Sequence, residues 1–355
     1  ICDSSMTRQK LLKIMITVFF PLSVHFAVYF GFISGYTTNV FSIATFKEQY
    51  LNDIYKYRPL STYSVIFLAE QLNKIDYKNN YQKFSRQLSF LDEKGEPGFY
   101  IAIFLWNGLF LILSVFLVFK LIYYLTDSFN FAALISVLSS LIISITHYVV
   151  VPYDNLSYFL LLLSSLLTFK FFKENNKIDG ILLIPIIIIS TLNRESSALQ
   201  LSFYGALFLS NYFSDKNNLN PEPKYFTKSF MGLFKGSKFR ILIYQLFGFI
   251  LTYISLRIIF GASDFVIIGP TFWGNLLSPY SIFGYMFFIS AAFSIFIMTD
   301  RSFRIIHVYY LLLAFPYLIS ILFNGIIFEY RLFVPIILQM ILLAVSCRYL
   351  LNPKR

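Results

Sequence analysis

The chain has 355 residues, of which 57% are hydrophobic and only 13% are charged. Soluble domains carry about 25% charged residues, so this composition excludes a water-soluble globular protein. The formal net charge of +11 does not indicate a nucleic-acid partner. The basic residues lie mostly between apolar runs, where they set the orientation of membrane proteins.

Ten apolar segments follow one another along the chain, and most have the roughly 17–25 residues that cross a bilayer as a helix. We predict an all-α polytopic membrane protein with about ten transmembrane helices, forming a single transmembrane domain over 1–355. The first segment is long enough to stay as a span rather than be cleaved as a signal peptide. The fifth segment is short and interrupted by Pro185, so it is expected to pair with the short sixth segment or to be partly re-entrant. The segments are 11–33, 99–123, 130–147, 156–172, 179–192, 197–213, 239–260, 280–298, 305–323 and 332–351.

The distribution of Lys and Arg orients these segments. With the N-terminus inside, 18 basic residues fall on the cytoplasmic side, whereas beyond the first loop the other side receives only Arg194, Arg257 and Arg331. Cytoplasmic loops are enriched in Lys and Arg, so we expect both termini in the cytoplasm. The expected location is a bacterial plasma membrane. The Lys-, Asn- and Pro-rich loop 214–238 is then a solvated cytoplasmic linker.

The longest polar stretch, 34–98, becomes the first extracytoplasmic loop in this orientation. It opens with acidic and aromatic sequence that contains Glu48, Asp53 and Arg58. The piece VIFLAEQL at 65–72 is amphipathic and too short to span, so we expect it to lie along the membrane interface. The loop is therefore predicted to contain short amphipathic helices and to be the catalytic loop.

Later segments that reach the same side also carry a carboxylate, an arginine or both, directly against apolar sequence. Ionisable groups at membrane boundaries are costly unless paired or hydrated, so they mark functional sites. Arginine suits a phosphate because its planar fork donates two parallel hydrogen bonds, and a carboxylate in a partly dry site suits a general base. These residues are Asp154, Arg194, Glu195, Glu329 and Arg331.

Structural interpretations compete with this functional one. The Arg194–Glu195 and Glu329–Arg331 pairs have the pattern of salt-bridged loop ends or of arginines that reach lipid headgroups. Asp154 stands where a helix N-terminal cap is expected. Tyrosines of the first loop are suited to stack on a sugar ring, but also to anchor the chain at the interface.

Metal and redox chemistry is not indicated by the sequence. The histidines, His25, His147 and His307, have no spacing typical of metal ligands, and His147 is expected to be an interfacial side chain. The two cysteines lie near opposite ends and form no disulfide framework. We expect no cofactor, and a divalent metal is not called for by any motif.

Two stretches resemble the GT-C superfamily of integral-membrane glycosyltransferases. A long first outer loop with Glu48 and Asp53 soon after the first span is followed by YKYRPLSTY at 55–63. Near the end, EYR at 329–331 precedes a last span that starts Leu-Phe-Val-Pro. The resemblance covers the whole chain in topology, but it covers specific motifs only in these short stretches.

The resemblance implies a hexosyl- or pentosyltransferase of the cell envelope. It would move a sugar from a polyprenyl-phosphate donor in the membrane lipids to a glycan, lipid or protein acceptor on the extracytoplasmic face. A first-loop carboxylate would activate the acceptor hydroxyl. Family members often place two acids close together, whereas Glu48 and Asp53 are five residues apart; Asp53, nearer Arg58, is the preferred base. Arg58, Tyr57 and the outer-face residues of the later segments would bind the substrate.

Other functions stay open. A lipid or polysaccharide transporter or flippase would carry charges near the middle of broken helices. A polysaccharide polymerase or ligase would place its main outer loop late in the chain. A non-catalytic scaffold subunit would tolerate replacement of Glu48, Asp53 and Arg58.

Overall fold

The computed structural model describes residues 2–31, 42–52, 54–74, 96–216, 236–261, 272–327 and 329–350. All regular structure in these residues is helical, and none of them forms a strand. The all-α prediction is therefore confirmed. Asp53 and most of the predicted cytoplasmic loop 214–238 lie outside the described residues.

Helices occupy all ten predicted apolar segments, and the predicted first loop contributes two further helices, α3 and α4. The first apolar segment forms α1 and α2 on either side of a π-helical turn, Met15–Phe19. The helices are α1 (Cys2–Ile14), α2 (Phe20–Gly31), α3 (Ile43–Asn52), α4 (Pro59–Leu72), α5 (Pro97–Thr126), α6 (Phe129–Ile145), α7 (Asp154–Glu174), α8 (Lys177–Asn193), α9 (Ala198–Lys216), α10 (Ser237–Phe260), α11 (Phe272–Leu277), α12 (Pro279–Met298), α13 (Arg304–Asn324) and α14 (Val334–Leu350). Five 3-10 turns join them, at Ile54–Tyr57, Thr146–Tyr148, Glu195–Ser197, Arg301–Phe303 and Tyr330–Leu332.

Within the described ranges, seven helical segments are long and apolar enough to cross a membrane. The chain is therefore a multi-pass membrane protein. The other three predicted spans form α8, α9 and α14, which fall short of that standard in length or composition. The seven segments are Thr7–Gly31, Pro97–Thr126, Phe129–Tyr148, Asp154–Glu174, Ser237–Phe260, Pro279–Met298 and Arg301–Phe323.

The chain divides into two compact units. Unit 1 comprises Ile1–Phe159, Leu192–Arg194 and Leu256–Val266, and unit 2 comprises the remaining residues. In unit 1, α5 packs along α4 and α6, and α2 packs against both α5 and α6. In unit 2, α9 packs on α13, and α12 packs on α14.

Helix α4, which belongs to the predicted first loop, packs within unit 1. Pro59 occupies its first turn, where proline is favoured because its missing N–H has no partner in the helix anyway. Residues on one face, including Thr62, Ile66 and Ala69, are buried, and their helical spacing places them in one mostly apolar stripe. This stripe packs α4 on α5, so the predicted amphipathic piece is the second half of a longer helix.

Gly284 on α12 gives a test of the packing in unit 2. A Cβ at this position would collide with the backbone carbonyl oxygen of Ile327, which cannot swing aside as a side chain can. We expect Gly284→Ala to destabilise the protein by about 1–3 kcal/mol, as overpacking does in other cores. Thermal unfolding in detergent, followed by circular dichroism, measures the change. Gly31→Ala is the matched control, because a Cβ at Gly31 would meet no atom of the described residues within 4 Å. Equal melting temperatures for both variants would contradict this packing.

Candidate functional site

A buried ion pair marks the start of α7 in unit 1. Asp154 is the first residue of α7 and its carboxylate accepts a hydrogen bond from Nη1 of Arg194. The two side chains are only 5% and 6% exposed, respectively. A helix N-terminus favours a carboxylate through its dipole, so the start of α7 and the Arg194 guanidinium both attract the Asp154 carboxylate.

Two guanidinium groups lie over the ring of Tyr153, the residue before Asp154. The Cζ atoms of Arg58 and Arg194 lie 4.3 Å and 5.2 Å from the centre of its ring. The Arg58 Cζ also lies 5.1 Å from the ring centre of Tyr55. Cations within about 6 Å of an aromatic ring are attracted by its quadrupole. One buried ring therefore gathers arginines from the first loop and from the end of α8.

A ladder of aromatic rings supports Tyr153 from the side of the first loop. The Tyr55 ring stacks on the Tyr153 ring at 5.9 Å and on the Tyr50 ring at 4.8 Å. Tyr50 in turn stacks on Phe46 at 4.2 Å. Phe46 and Tyr50 are four residues apart in α3 and so share one helix face. The first loop is thereby joined to the start of α7 through ring contacts.

The amide of Asn193 fixes the end of α8 beside this ladder. Its Nδ2 donates to the carbonyl oxygen of Tyr153 at 2.9 Å and to the Ser157 hydroxyl at 2.8 Å. Its Oδ1 accepts from the Ser61 hydroxyl. Asn193 is fully buried, so the backbone that carries Arg194 is held on three sides.

Tyr57 forms a second centre with a similar composition. The Cζ of Arg257 lies 3.7 Å from the Tyr57 ring centre, and the Nζ of Lys56 lies 5.4 Å from it. The Tyr57 hydroxyl donates to the carbonyl oxygen of Gly261 at 2.7 Å. Gly261 has a φ of +67°, the left-handed conformation in which glycine often follows the end of a helix.

Replacing Tyr57 tests this second centre. Tyr57→Phe removes the hydroxyl but keeps the ring under Arg257, so we expect a loss of about 0.5–1.5 kcal/mol of stability, the contribution of one hydrogen bond. Tyr57→Ala also removes the ring and should cost about 3–5 kcal/mol, as other large-to-small replacements of buried aromatic residues do. Thermal unfolding of both variants measures the two steps; an equal loss for both would show that the ring contributes nothing.

These contacts define what we call the Tyr153 cluster, which consists of Tyr55, Arg58, Tyr153, Asp154 and Arg194. Two of its members, Arg58 and Arg194, place their guanidinium groups over the Tyr153 ring. Guanidinium groups that are already oriented by rings and a carboxylate suit a phosphate or other oxyanion. The chemistry favoured by the cluster is anion binding.

The structure brings four predicted site residues into this part of unit 1, namely Tyr57, Arg58, Asp154 and Arg194. Glu48 is exposed on α3, and its helical position is opposite the face that carries Phe46 and Tyr50. Asp53, the preferred base, lies outside the described residues, so its role stays a prediction.

The other three predicted residues belong to unit 2. Glu195 begins the 3-10 turn Glu195–Ser197 and is half-buried. Glu329 and Arg331 are both buried, and the Nε and Nη2 of Arg331 each lie 2.7 Å from Oε2 of Glu329. This is the ion pair expected for a salt-bridged loop end. The assignment of these three residues to substrate binding stays a prediction.

Several polar residues of unit 1 have no counterpart in the sequence-based prediction. His25 and His147 meet in the interior, and His147 bonds to Asn155. The His147 ring packs inside the protein, 3% exposed, and its expected position at the membrane interface stays a prediction. Tyr153 and Arg257 were also missed as site residues, although Arg257 stands out as a lone cation at the end of an apolar run. In the part of the chain that the structure describes, no group of three or more metal-ligating side chains converges.

No protein-family model, curated protein or solved structure matches this chain.

Proposed function

We propose that the chain is a membrane glycosyltransferase of the GT-C type, a hexosyl- or pentosyltransferase that takes its sugar from a polyprenyl-phosphate donor. The acceptor is a glycan, a lipid or a protein. The observation that carries the proposal is the gathering of Arg58 and Arg194 on the ring of Tyr153, beside the Asp154 carboxylate. A lipid phosphate requires oriented cationic groups of this kind.

Each residue of the Tyr153 cluster has a role in this proposal. Arg58 and Arg194 hold the phosphate, while Tyr153 and Asp154 hold the guanidinium groups in place before the donor binds. Preorganised donors stabilise the charge that develops on a leaving phosphate in the transition state. The acceptor hydroxyl gives its proton to a carboxylate, and its oxygen attacks the anomeric carbon. The bond from that carbon to the phosphate oxygen then breaks, and polyprenyl phosphate leaves with the electron pair.

We assign the role of base to Asp53, with Glu48 as the alternative. In the sequence, Asp53 stands between α3, whose Tyr50 belongs to the aromatic ladder, and the turn that carries Tyr55 and is followed by Arg58. The exposed position of Glu48, opposite the face of Tyr50, favours Asp53 over Glu48. The carboxylate of a base must come within hydrogen-bond reach of the acceptor, and Asp53 is the nearer of the two in sequence to Arg58.

The proposed enzyme has ten membrane-spanning segments in a defined orientation. All ten helical segments cross the membrane, including α8, α9 and α14, with both termini in the cytoplasm of a bacterial cell and the Tyr153 cluster on the extracytoplasmic side. The imbalance of 18 basic residues against three supports this orientation. The 17 residues of α8 extend about 25 Å at the helical rise of about 1.5 Å per residue, which suits a tightly packed short span.

A sugar-release assay tests the proposed reaction. The protein in lipid nanodiscs would be incubated with polyprenyl phosphates that carry radiolabelled hexoses or pentoses, and soluble or transferred label would be counted. Asp53→Asn should lower the rate by about 10²–10⁴-fold, as the loss of a general base does, whereas Glu48→Gln should stay near the unsubstituted rate. Label release that is unchanged in both variants, or absent from the unsubstituted protein with every donor, would overturn the proposal.

A second candidate is a lipid or polysaccharide transporter. It is favoured by the proline residues within α8 and α13, Pro185 and Pro316, because transporters use interrupted helices near their binding sites. A flippase would move a fluorescent polyprenyl-phosphate lipid between leaflets of proteoliposomes without breaking the sugar bond. Movement without sugar release would favour the transporter, and sugar release would favour the enzyme.

A further inference from the structure

Two histidines from distant parts of the sequence meet inside unit 1. His25 lies on α2 and His147 on the 3-10 turn after α6, and their Nδ1 atoms are 2.6 Å apart. The side chains are 0% and 3% exposed. A contact of this length between two ring nitrogens requires a proton between them, because two bare nitrogen lone pairs repel.

The other nitrogen of each ring faces an oxygen. His25 Nε2 lies 3.1 Å from the carbonyl oxygen of Phe104, and His147 Nε2 lies 2.8 Å from Oδ1 of Asn155. The amide of Asn155 cannot be reversed, because its Nδ2 donates to the carbonyl oxygen of Asn107 at 2.7 Å. The reversed amide would bring two acceptor oxygens together. Both Nε2 atoms must therefore carry hydrogens.

Counting protons gives the charge of the pair. The contacts to Phe104 and Asn155 each use one N–H, and the Nδ1–Nδ1 contact uses a third. Two neutral imidazoles carry only two such protons. With only two protons, one of the three contacts would join two atoms that both lack a hydrogen, so that contact has to open. The geometry as a whole is satisfied only by a pair that holds three protons and one positive charge.

We propose that His25 and His147 form a proton-sharing pair, which takes up one proton as a unit and holds it between the two Nδ1 atoms. Below the pH at which the pair takes up this proton, all three contacts are closed. As the pH rises through that point, the proton is lost and one of the three contacts opens. It is the contact between the two Nδ1 atoms, the contact to Phe104 on α5, or the contact to Asn155 in the first turn of α7. The pair is thus a pH-sensitive device between α2 and the segment that begins α7.

The surroundings of the pair contain few charges. The Tyr29 ring on α2 lies 5.5 Å from the His25 ring, and α5 faces the pair with the ring of Phe104, stacked at 4.5 Å. At the start of α7, Asp154 is the carboxylate next to Asn155, and Arg194 already pairs with it. Because His147 contacts Asn155, proton uptake by the pair places positive charge near the Tyr153 cluster.

The proton-sharing pair does not depend on the proposed reaction. It follows from the contacts of the two histidine rings with each other and with the oxygens of Phe104 and Asn155. It assigns a role to three residues that the glycosyltransferase proposal leaves unused, namely His25, His147 and Asn155. Its consequence for the cluster is indirect. Asn155 follows Asp154 in the same helical turn, so opening of the His147–Asn155 contact would loosen the residue next to the ion pair.

Nitrogen NMR on the full-length protein tests the pair directly. The chain has three histidines, so protein grown with 15N-histidine and placed in lipid nanodiscs gives a small set of imidazole signals. His307→Gln removes the one histidine outside the pair and leaves His25 and His147 for measurement. We expect, at the acidic end of a pH titration, a coupling between the two Nδ1 nuclei through a shared hydrogen, with both Nε2 nuclei protonated. Both rings should then change together in a single one-proton step.

The outcomes are distinguishable from those of the sugar-release assay. Absence of the Nδ1–Nδ1 coupling at every pH at which the protein stays folded would overturn the proposal, as would two rings that titrate in separate steps. His147→Gln should abolish the coupling and the shared step in the His25 signals. The spectrum of the unsubstituted protein decides the matter if that variant does not fold. The His307 signals, identified by their loss in His307→Gln, should show no coupling to another histidine.

Discussion

Arg194→Met is expected to destabilise the protein by about 3–5 kcal/mol, the usual cost of leaving one member of a buried ion pair without its partner. Asp154 is buried at the start of α7 and would keep its place there without the guanidinium group that pairs with it. The variant would also lose the contact between the guanidinium and the Tyr153 ring. Thermal and urea unfolding in detergent measure the loss, which should be among the largest for any single substitution outside the apolar core.

A double-mutant cycle separates the ion pair from the rest of the side chain. Asp154→Asn alone should also destabilise, because it leaves Arg194 buried without its carboxylate. The double variant Asp154→Asn/Arg194→Met carries no buried charge at this site, so it should recover much of the lost stability. Arg240→Met is the matched control, since Arg240 is exposed on α10 and its loss should change little. Additive losses in the double variant would show that the two groups do not act as a pair.

Arg58→Ala is expected to lower kcat/KM for sugar transfer by about 10²–10³-fold, the typical effect of removing one preorganised group that stabilises developing charge. Arg58 is only partly buried, so the protein should stay folded and the effect should appear in catalysis. Arg58→Lys keeps the positive charge but loses the planar group that stacks on Tyr55 and Tyr153. Because Lys cannot reproduce a bidentate, stacked contact, this variant should also be impaired, though less than Arg58→Ala.

The Arg58 series needs a control for general charge effects on a lipid substrate. Arg240→Ala and Arg240→Lys remove or keep a charge at an exposed site outside the cluster, and both should retain the full rate. If Arg58→Ala and Arg240→Ala are equally active, the cluster does not hold the donor. A series in which Arg58→Lys is fully active would show that charge alone, and not the stacked geometry, is what matters.

The overall architecture follows from the sequence because bilayer thickness imposes a length on every span. All ten apolar segments are helical, and only α8, α9 and α14 fall short of the standard for a span. The bounds of the first-loop helices were harder to predict. Helix α4 begins at Pro59, well before the amphipathic piece, because its first turns are buried by packing on α5 rather than by their own hydrophobicity.

Some residues of the Tyr153 cluster were singled out from the sequence, but the contacts among them were not predictable. Asp154 and Arg194 each stand out as charges against apolar sequence. They are 40 residues apart, however, and their spacing does not predict an ion pair. Tyr153 is one of 26 tyrosines and has no local feature that distinguishes it. His25 and His147 are separated by 122 residues, and only the packing of α2 against α5 and α6 brings them together.

The most direct test of the glycosyltransferase proposal is an experimental structure in lipid nanodiscs with a non-cleavable polyprenyl-phosphate sugar. We predict density for the phosphate within hydrogen-bond distance of the Arg58 and Arg194 guanidinium groups, with the sugar directed towards the first loop and Asp53. A phosphate bound away from both arginines, with the Tyr153 cluster unchanged and unoccupied, would contradict the proposal.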